Sequence, residues 1–174
     1  MFSTPSDIVK KFELEPHMKV ADIGAGSGEY SFAAARMALN GMVFAVDVQK
    51  ELLARIDSEA KAKHLSNIKI VWGNAEERNG IKLADGSIDA CIAANILFQV
   101  ENREVFAEEI CRIIRPRGKL LVVDWNSSFG GTGPKPQDIV PKTLAREIFE
   151  KAGFFVEREI PAGEYHYGLV FRKK

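Results

Sequence analysis

An α/β fold built on a mostly parallel sheet is predicted by three observations. Short apolar runs alternate with amphipathic helical segments along the chain, the pattern of repeated βαβ units. Three alternating glycines, Gly24, Gly26 and Gly28, stand between the first apolar run and an alanine-rich helical segment, where a strand-to-helix turn needs positive φ and close backbone approach. Near the end, two apolar segments are joined only by Pro161-Ala162-Gly163. So short a loop implies a hairpin, and hence an antiparallel last strand.

Taken in order, Ser6 to Glu13 reads as a short amphipathic helix ended by Pro16, and Lys19 to Ile23 as the first strand. Glu29 to Leu39 follows as a helix, stopped by Asn40-Gly41. Met42 to Asp47 is the second strand, and Lys50 to His64 a helix with Leu52, Leu53, Ile56 and Ala60 on one face. Ile68 to Trp72 is the third strand, Ser87 to Ala94 the fourth, and Arg103 to Ile114 the next helix. Pro116 and Gly118 turn the chain into a fifth strand, Lys119 to Asp124. Pro141 suits the first turn of a helix running to Lys151, which Gly153 ends. The hairpin then comprises Phe154 to Ile160 and Glu164 to Phe171.

With 174 residues, 46% hydrophobic and 28% charged, the chain is expected to form one domain, residues 1–174, burying about 70% of its unfolded surface. Zero net charge provides no overall field toward nucleic acid or an anionic membrane surface. No apolar run approaches a membrane span and the N-terminus does not open as a signal peptide, so a cytoplasmic protein is expected. Cys91 and Cys111 fall in apolar runs and read as buried thiols, while His17, His64 and His166 show no ligand spacing. No metal is implied.

The glycine turn points to a ligand. Nineteen residues beyond Gly28, the second strand ends in Asp47, a carboxylate placed to accept hydrogen bonds from both hydroxyls of a ribose. The ligand class is an adenine nucleoside derivative. Asp22 and Glu29 bracket a turn without Lys or Arg, and Glu29-Tyr30 replaces the third glycine of the dinucleotide fingerprint. A pyrophosphate is disfavoured there, whereas a ligand carrying an ammonium and a sulfonium suits it. S-adenosylmethionine is preferred over NAD on that ground.

Five stretches, in order, extend this reading: Asp22-Ile23-Gly24-Ala25-Gly26-Ser27-Gly28, Val46-Asp47-Val48, Gly73-Asn74-Ala75-Glu76, Gly86 to Ile92, and Ile114 to Leu120 with its proline-glycine turn. They resemble the class I S-adenosylmethionine-dependent methyltransferases, of the small kind grouped with ubiquinone/menaquinone-biosynthesis enzymes (the methyltransferase type 11 group). That resemblance implies a Rossmann-like three-layer sandwich with a seven-stranded sheet of order 3-2-1-4-5-7-6. It implies S-adenosyl-L-methionine as cofactor and S-adenosyl-L-homocysteine as product. By resemblance Asp22 holds the methionine ammonium, Gly24, Ala25, Gly26 and Gly28 pack on the methionyl and ribose parts, and Asp47 with Val48 binds the ribose. Asn74, where the family usually has Asp, and Ala75 would contact adenine, the Asn74 carbonyl accepting from its amine. Asn95 would reach the cofactor from the fourth strand.

On the acceptor side the expectations are Tyr30, Phe98, Asp124 and Trp125 as pocket walls, with Asp124 and His166 the only acid–base candidates. No catalytic residue is assigned, because displacing a methyl from a sulfonium depends chiefly on positioning. The segment 125–139, rich in Gly, Ser and Pro, reads as a substrate-side loop or lid, and residues 1–16 as an N-terminal helical segment. Ala94-Asn95-Ile96-Leu97 lacks the Asp/Asn-Pro-Pro-aromatic tetrapeptide of adenine and cytosine amino-methyltransferases. Arg112, Arg115, Arg117 and Lys119 read as cations at a helix C-terminus rather than a phosphate patch. The expected function is methyl transfer to a small-molecule acceptor. The alternatives are a non-catalytic binding module of the same fold and, less favoured, a nicotinamide-dependent oxidoreductase.

Overall fold

The computed structural model describes residues 3–174. Its elements in chain order are α1 (Pro5–Phe12), β1 (Lys19–Ile23), α2 (Glu29–Met37), β2 (Met42–Asp47), α3 (Lys50–Ala62), β3 (Ile68–Trp72) and β4 (Ile88–Ala94). After a 3-10 turn at Leu97–Gln99 come α4 (Arg103–Ile113), β5 (Ile114–Trp125), a second 3-10 turn at Pro136–Asp138, α5 (Lys142–Lys151), β6 (Phe154–Pro161) and β7 (His166–Lys173). The seven strands form one sheet in the order β3-β2-β1-β4-β5-β7-β6. β1 to β5 pair in parallel, and β7 runs antiparallel to both neighbours.

Period-two alternation in the central strands divides the core into two apolar layers. On β4 and β5, Ala90, Ile92, Leu121 and Val123 pack with α1 and α2, while Cys91, Ala93, Leu120 and Val122 pack with α4 and α5. Phe32, Ile56, Ala60 and Ala45 seat α3 beside α2. Burial on both faces is why these strands are nearly continuous apolar runs.

Of the boundaries that differ from the sequence expectation, three have a clear local cause. α1 starts at Pro5 because Thr4 and Asp7 form a capping box, and it ends at Glu13 in a left-handed conformation. Ile114 leaves the helix and pairs with Ile88, so β5 begins before the Arg115-Pro116-Arg117-Gly118 corner, which is accommodated as a bulge. Pro116 disfavours helical geometry at Arg115, and Arg117 takes φ 63°. Pro141 is the extended cap of α5 rather than its first helical residue.

In the basic cluster Arg112 lies in the last turn of α4, as expected, and the side chains make further specific contacts. Arg112 donates to the carbonyls of Ile81 and Leu83 and pairs with Asp85 and Glu109, and Arg115 pairs with Asp89. Lys119 Nζ donates to the carbonyls of Phe12 and Glu13, at 3.0 and 2.6 Å, closing the C-terminal end of α1. These three cations tie loops and α1 to the sheet. Among the described residues no helix is long and apolar enough to cross a membrane.

Candidate functional site

The turn after β1 is held by backbone before any side chain contributes. The N–H groups of Gly24 and Ala25 both donate to the Val46 carbonyl at the end of β2, at 2.9 and 3.0 Å, and Gly28 N–H donates to the Ala25 carbonyl. Gly24, Gly26 and Gly28 have φ of 72°, 54° and 87°, the left-handed region that L side chains avoid. A β-carbon on Gly28 would lie 2.8 Å from Ile56 and 3.0 Å from Phe32, and one on Gly24 would strike Ile96. At Gly26 an added β-carbon meets only the Gly24 carbonyl, at 3.9 Å. That face of the turn is open.

Asp47, at the tip of β2, accepts from Gly26 N–H at 3.0 Å and from Gln49 N–H at 2.9 Å. One carboxylate thus fixes the turn and the entrance to α3 together. Asp22 lies beneath, 2% exposed, and accepts from the Ser31 hydroxyl at 2.6 Å. Burial pushes its carboxyl up to about 6, offset in part by the Ser31 hydrogen bonds. The phenol of Tyr30 is pushed well above its ordinary value, first by burial and then by the charges of Asp22 and Asp124.

The Gly73–Glu77 turn forms the next wall. Asn74 accepts from Glu76 N–H at 3.0 Å and donates to Glu77 at 3.1 Å. One lone pair of its carbonyl is therefore committed to the turn, leaving the second for an adenine amine. Glu76 Oε1 accepts from Glu101 and Asn102 N–H, at 2.7 and 2.8 Å, joining this wall to the cap of α4.

At the end of β4, Asn95 adopts φ 55° and its N–H donates to the Val123 carbonyl. Asn95 Oδ1 is buried without a hydrogen-bond partner. Asp124 corrects an expectation. It is fully buried and accepts from Ile96, Leu97 and Trp125 N–H at 3.1, 2.8 and 2.8 Å. Burial raises its carboxyl while these bonds lower it. It caps the 3-10 turn after β4, and no surface remains for a substrate.

These parts enclose a cleft of about 400 Å³ at the carboxyl ends of β1, β2 and β4, the edge of an open α/β sheet where ligands bind. Of the residues expected to hold the cofactor, Gly24, Gly26, Asp47, Val48, Asn74, Ala75 and Asn95 line this cleft. Asp22, Ala25 and Gly28 do not line it; Asp22 and Gly28 support the turn from below. Sequence reasoning assigned no role to Ile23, Val46, Gly73 and Glu76, which lie inside the recognised stretches, or to Gln49 and Leu52, which follow the second of them. It also missed Ile96, Gln99, Val100 and Phe106, for which only the apolar run after β4 offered a signal.

The acceptor-side residues lie elsewhere: Tyr30, Phe98, Asp124 and Trp125 are outside the cleft lining. Trp125 pairs across the β5–β7 ladder with His166, their ring centroids 4.1 Å apart. Burial lowers the His166 imidazole below its usual value. The loop after β5 is a small self-bonded hairpin. Phe129 and Thr132 exchange two backbone hydrogen bonds, Ser128 Oγ donates to the Pro134 carbonyl, and Gly133 lies against the Trp125 ring.

Comparison with known proteins supplies the family. A model of the methyltransferase domain matches residues 14–154. A probable cobalt-precorrin-6B C(15)-methyltransferase (decarboxylating) of Methanosarcina acetivorans is 34% identical over 82 residues, 47% of this chain and 43% of that protein. A demethylmenaquinone methyltransferase of Geobacillus is 24% identical over 119 residues, 68% of this chain and 50% of that protein. The chain thus spans half or less of the length of these two relatives. The crystal structure of a SAM-dependent methyltransferase from Aquifex aeolicus superposes with a TM-score of 0.88 at 27% identity, covering 98% of this chain and 89% of that one.

Proposed function

The chain belongs to the methyltransferase-domain family, and on that premise we propose that it binds S-adenosylmethionine in the β1–β2–β4 cleft and methylates a small-molecule acceptor. The observation that carries this reading is the open face of Gly26 beside Asp47, in a cleft walled by Asn74 and Asn95. The donors and acceptors fit the cofactor. Asp47 is positioned for the ribose hydroxyls, and buried, unpartnered Asn95 Oδ1 awaits an N–H or hydroxyl donor. Asp22 and Asp47 place negative charge at the turn, the sign that a cationic ligand requires.

When bound, the cofactor supplies an electrophilic methyl on a sulfonium that becomes a neutral thioether as an acceptor lone pair displaces it. The chain's own contribution is orientation. Gly24 and Gly26 let the backbone approach the ligand, Val48 and Leu52 border the cleft on the α3 side, and the Glu76 bridge holds the adenine wall against α4. Holding two reactants in line is worth about 7–11 kcal/mol of barrier. A small acceptor accords with the names of both curated relatives, one for demethylmenaquinone and one for a cobalt-precorrin.

Calorimetric titration with S-adenosylmethionine, S-adenosylhomocysteine and NAD, after denaturing extraction to reveal co-purified ligand, tests the reading. Micromolar S-adenosyl binding that Asp47→Ala weakens about 100-fold is expected. Binding of NAD alone overturns the assignment, and binding of none of the three leaves a domain of this fold that acts without the cofactor.

A further inference from the structure

Among the described residues, two buried side-chain polar atoms lack a hydrogen-bond partner, Asn95 Oδ1 and Trp125 Nε1. They belong to residues at the carboxyl ends of adjacent strands, β4 and β5. Buried N–H groups are almost always paired, so an orphan at the ligand-binding edge of the sheet is a vacancy for a ligand atom. Asn95 lines the cofactor cleft and Trp125 does not. We propose that the Trp125 indole N–H is the donor that reads the methyl acceptor, an uncharged planar molecule offering an oxygen lone pair. This rests on the methyltransferase reading above.

The class follows from the surroundings. An indole N–H only donates, so its partner atom must carry a lone pair. The Trp125 ring packs on His166 at 4.1 Å, with the Gly133 backbone against its six-membered edge. An acceptor that meets the N–H lies beside this aromatic pair, which suits a flat body. Asp22 near the end of β1, bonded to Ser31, and Asp124, which precedes Trp125 in β5, put two carboxyl groups at this edge of the sheet, which disfavours an anionic acceptor. A cationic group has no lone pair for the N–H. The 128–134 hairpin that follows Trp125 is bonded within itself and tied to Tyr165, where the Asn126 and Ser127 N–H groups donate to the Tyr165 carbonyl and the Phe129 ring stacks on the Tyr165 ring at 4.9 Å.

Specificity-determining roles of this kind separate from folding by indole resonances. The chain has two tryptophans, and Trp72 Nε1 donates to the Val48 carbonyl at 3.0 Å, which makes it an internal reference. In protein labelled with 15N at the indoles, phenol, benzoate and benzylamine are titrated with and without saturating S-adenosylhomocysteine. Phenol is expected to move the Trp125 resonance and leave that of Trp72 in place, with benzoate and benzylamine at least tenfold weaker. Trp125→Phe, which keeps a ring on His166, is expected to weaken phenol at least fivefold while S-adenosylhomocysteine affinity stays within twofold. Equal phenol affinity in Trp125→Phe, benzoate binding as tightly as phenol, or an unmoved Trp125 resonance overturns the proposal. Failure of S-adenosylhomocysteine to bind the wild type would instead sink the cofactor reading, and the titrations without it still test Trp125.

Discussion

Two glycine-rich turns of this molecule share a backbone code and differ in everything else. Gly24, Gly26 and Gly28 after β1, and Gly130, Gly131 and Gly133 after β5, all have positive φ. In the first turn, β-carbons on Gly24 and Gly28 would run into Ile96, Ile56 and Phe32, and the backbone is tied to Val46 and Asp47. In the second, β-carbons on Gly130 and Gly131 would meet nothing within 4 Å, and Gly133 alone touches a neighbour, Trp125. Conformational permission is local. Whether it yields a braced cradle or a loosely packed surface turn is decided by what packs against it.

Substitution should expose that difference most strongly at Gly28. Gly28→Ala combines left-handed strain of about 1–2 kcal/mol with overpacking of about 1–3 kcal/mol. A fall in Tm of about 6–15 °C is expected, against about 3–6 °C for Gly130→Ala, where strain stands alone. Equal losses in a thermal melt would erase the distinction between the turns.

Asp47→Ala comes next. It removes two hydrogen bonds that brace the turn as well as the proposed ribose contact. Hydrogen bonds to charged groups are worth about 1.5–3 kcal/mol each, so S-adenosylhomocysteine affinity should fall about 100-fold by calorimetry. A loss under fivefold would mean that the cradle survives on its backbone bonds alone.

A smaller effect is expected at Asp22, and it carries a pH signature. Its carboxyl is raised from 3.8 to about 6 in the folded state, so the native protein binds the proton more tightly than the unfolded chain. The stability it contributes is fully present below about pH 3.8 and lost as pH rises through about 6. Asp22→Asn retains an acceptor for Ser31 and carries no charge, so it should be more stable than wild type at pH 7, on the order of 2 kcal/mol. That advantage should vanish near pH 4, and a constant difference across pH would assign the effect to packing. Weaker binding of a cationic cofactor should accompany the gain in stability.

Asn74→Asp should do least. The acceptor for Glu76 N–H is retained, while the bond to Glu77 becomes a contact between like charges at an exposed site, worth about 0.5 kcal/mol or less. S-adenosylhomocysteine should bind at least as tightly as to wild type. A marked loss would move adenine away from this wall.

Legibility from sequence divides along the same line as the two turns. β1, β2 and β3 lie where the apolar runs predict them, and the final hairpin follows from the short link after Ile160, although Pro161 joins β6 and the loop is residues 162–165. The turn glycines and Asp47 were readable because strand, turn and ribose carboxylate stand at fixed separations along one βαβ unit. Asp124 was not. It looked like an exposed strand-end acid, yet pairing of β5 with β4 delivers it to the N–H groups of Ile96 and Leu97, 28 and 27 residues away.

What the sequence determined by itself was therefore whatever depends on local spacing: the alternation of elements, the glycine turn, the carboxylate at the tip of β2, and the absence of a strong net field. Only the tertiary structure decided which polar groups are consumed by the fold and which stay available. Lys119 is spent on the end of α1 and Asp124 on the turn after β4, while Asn95 Oδ1 and Trp125 Nε1 are left unpaired. The reason is that a hydrogen bond joins residues by distance in space, and the long-range register of a parallel sheet is set by the packing of both faces rather than by any one segment.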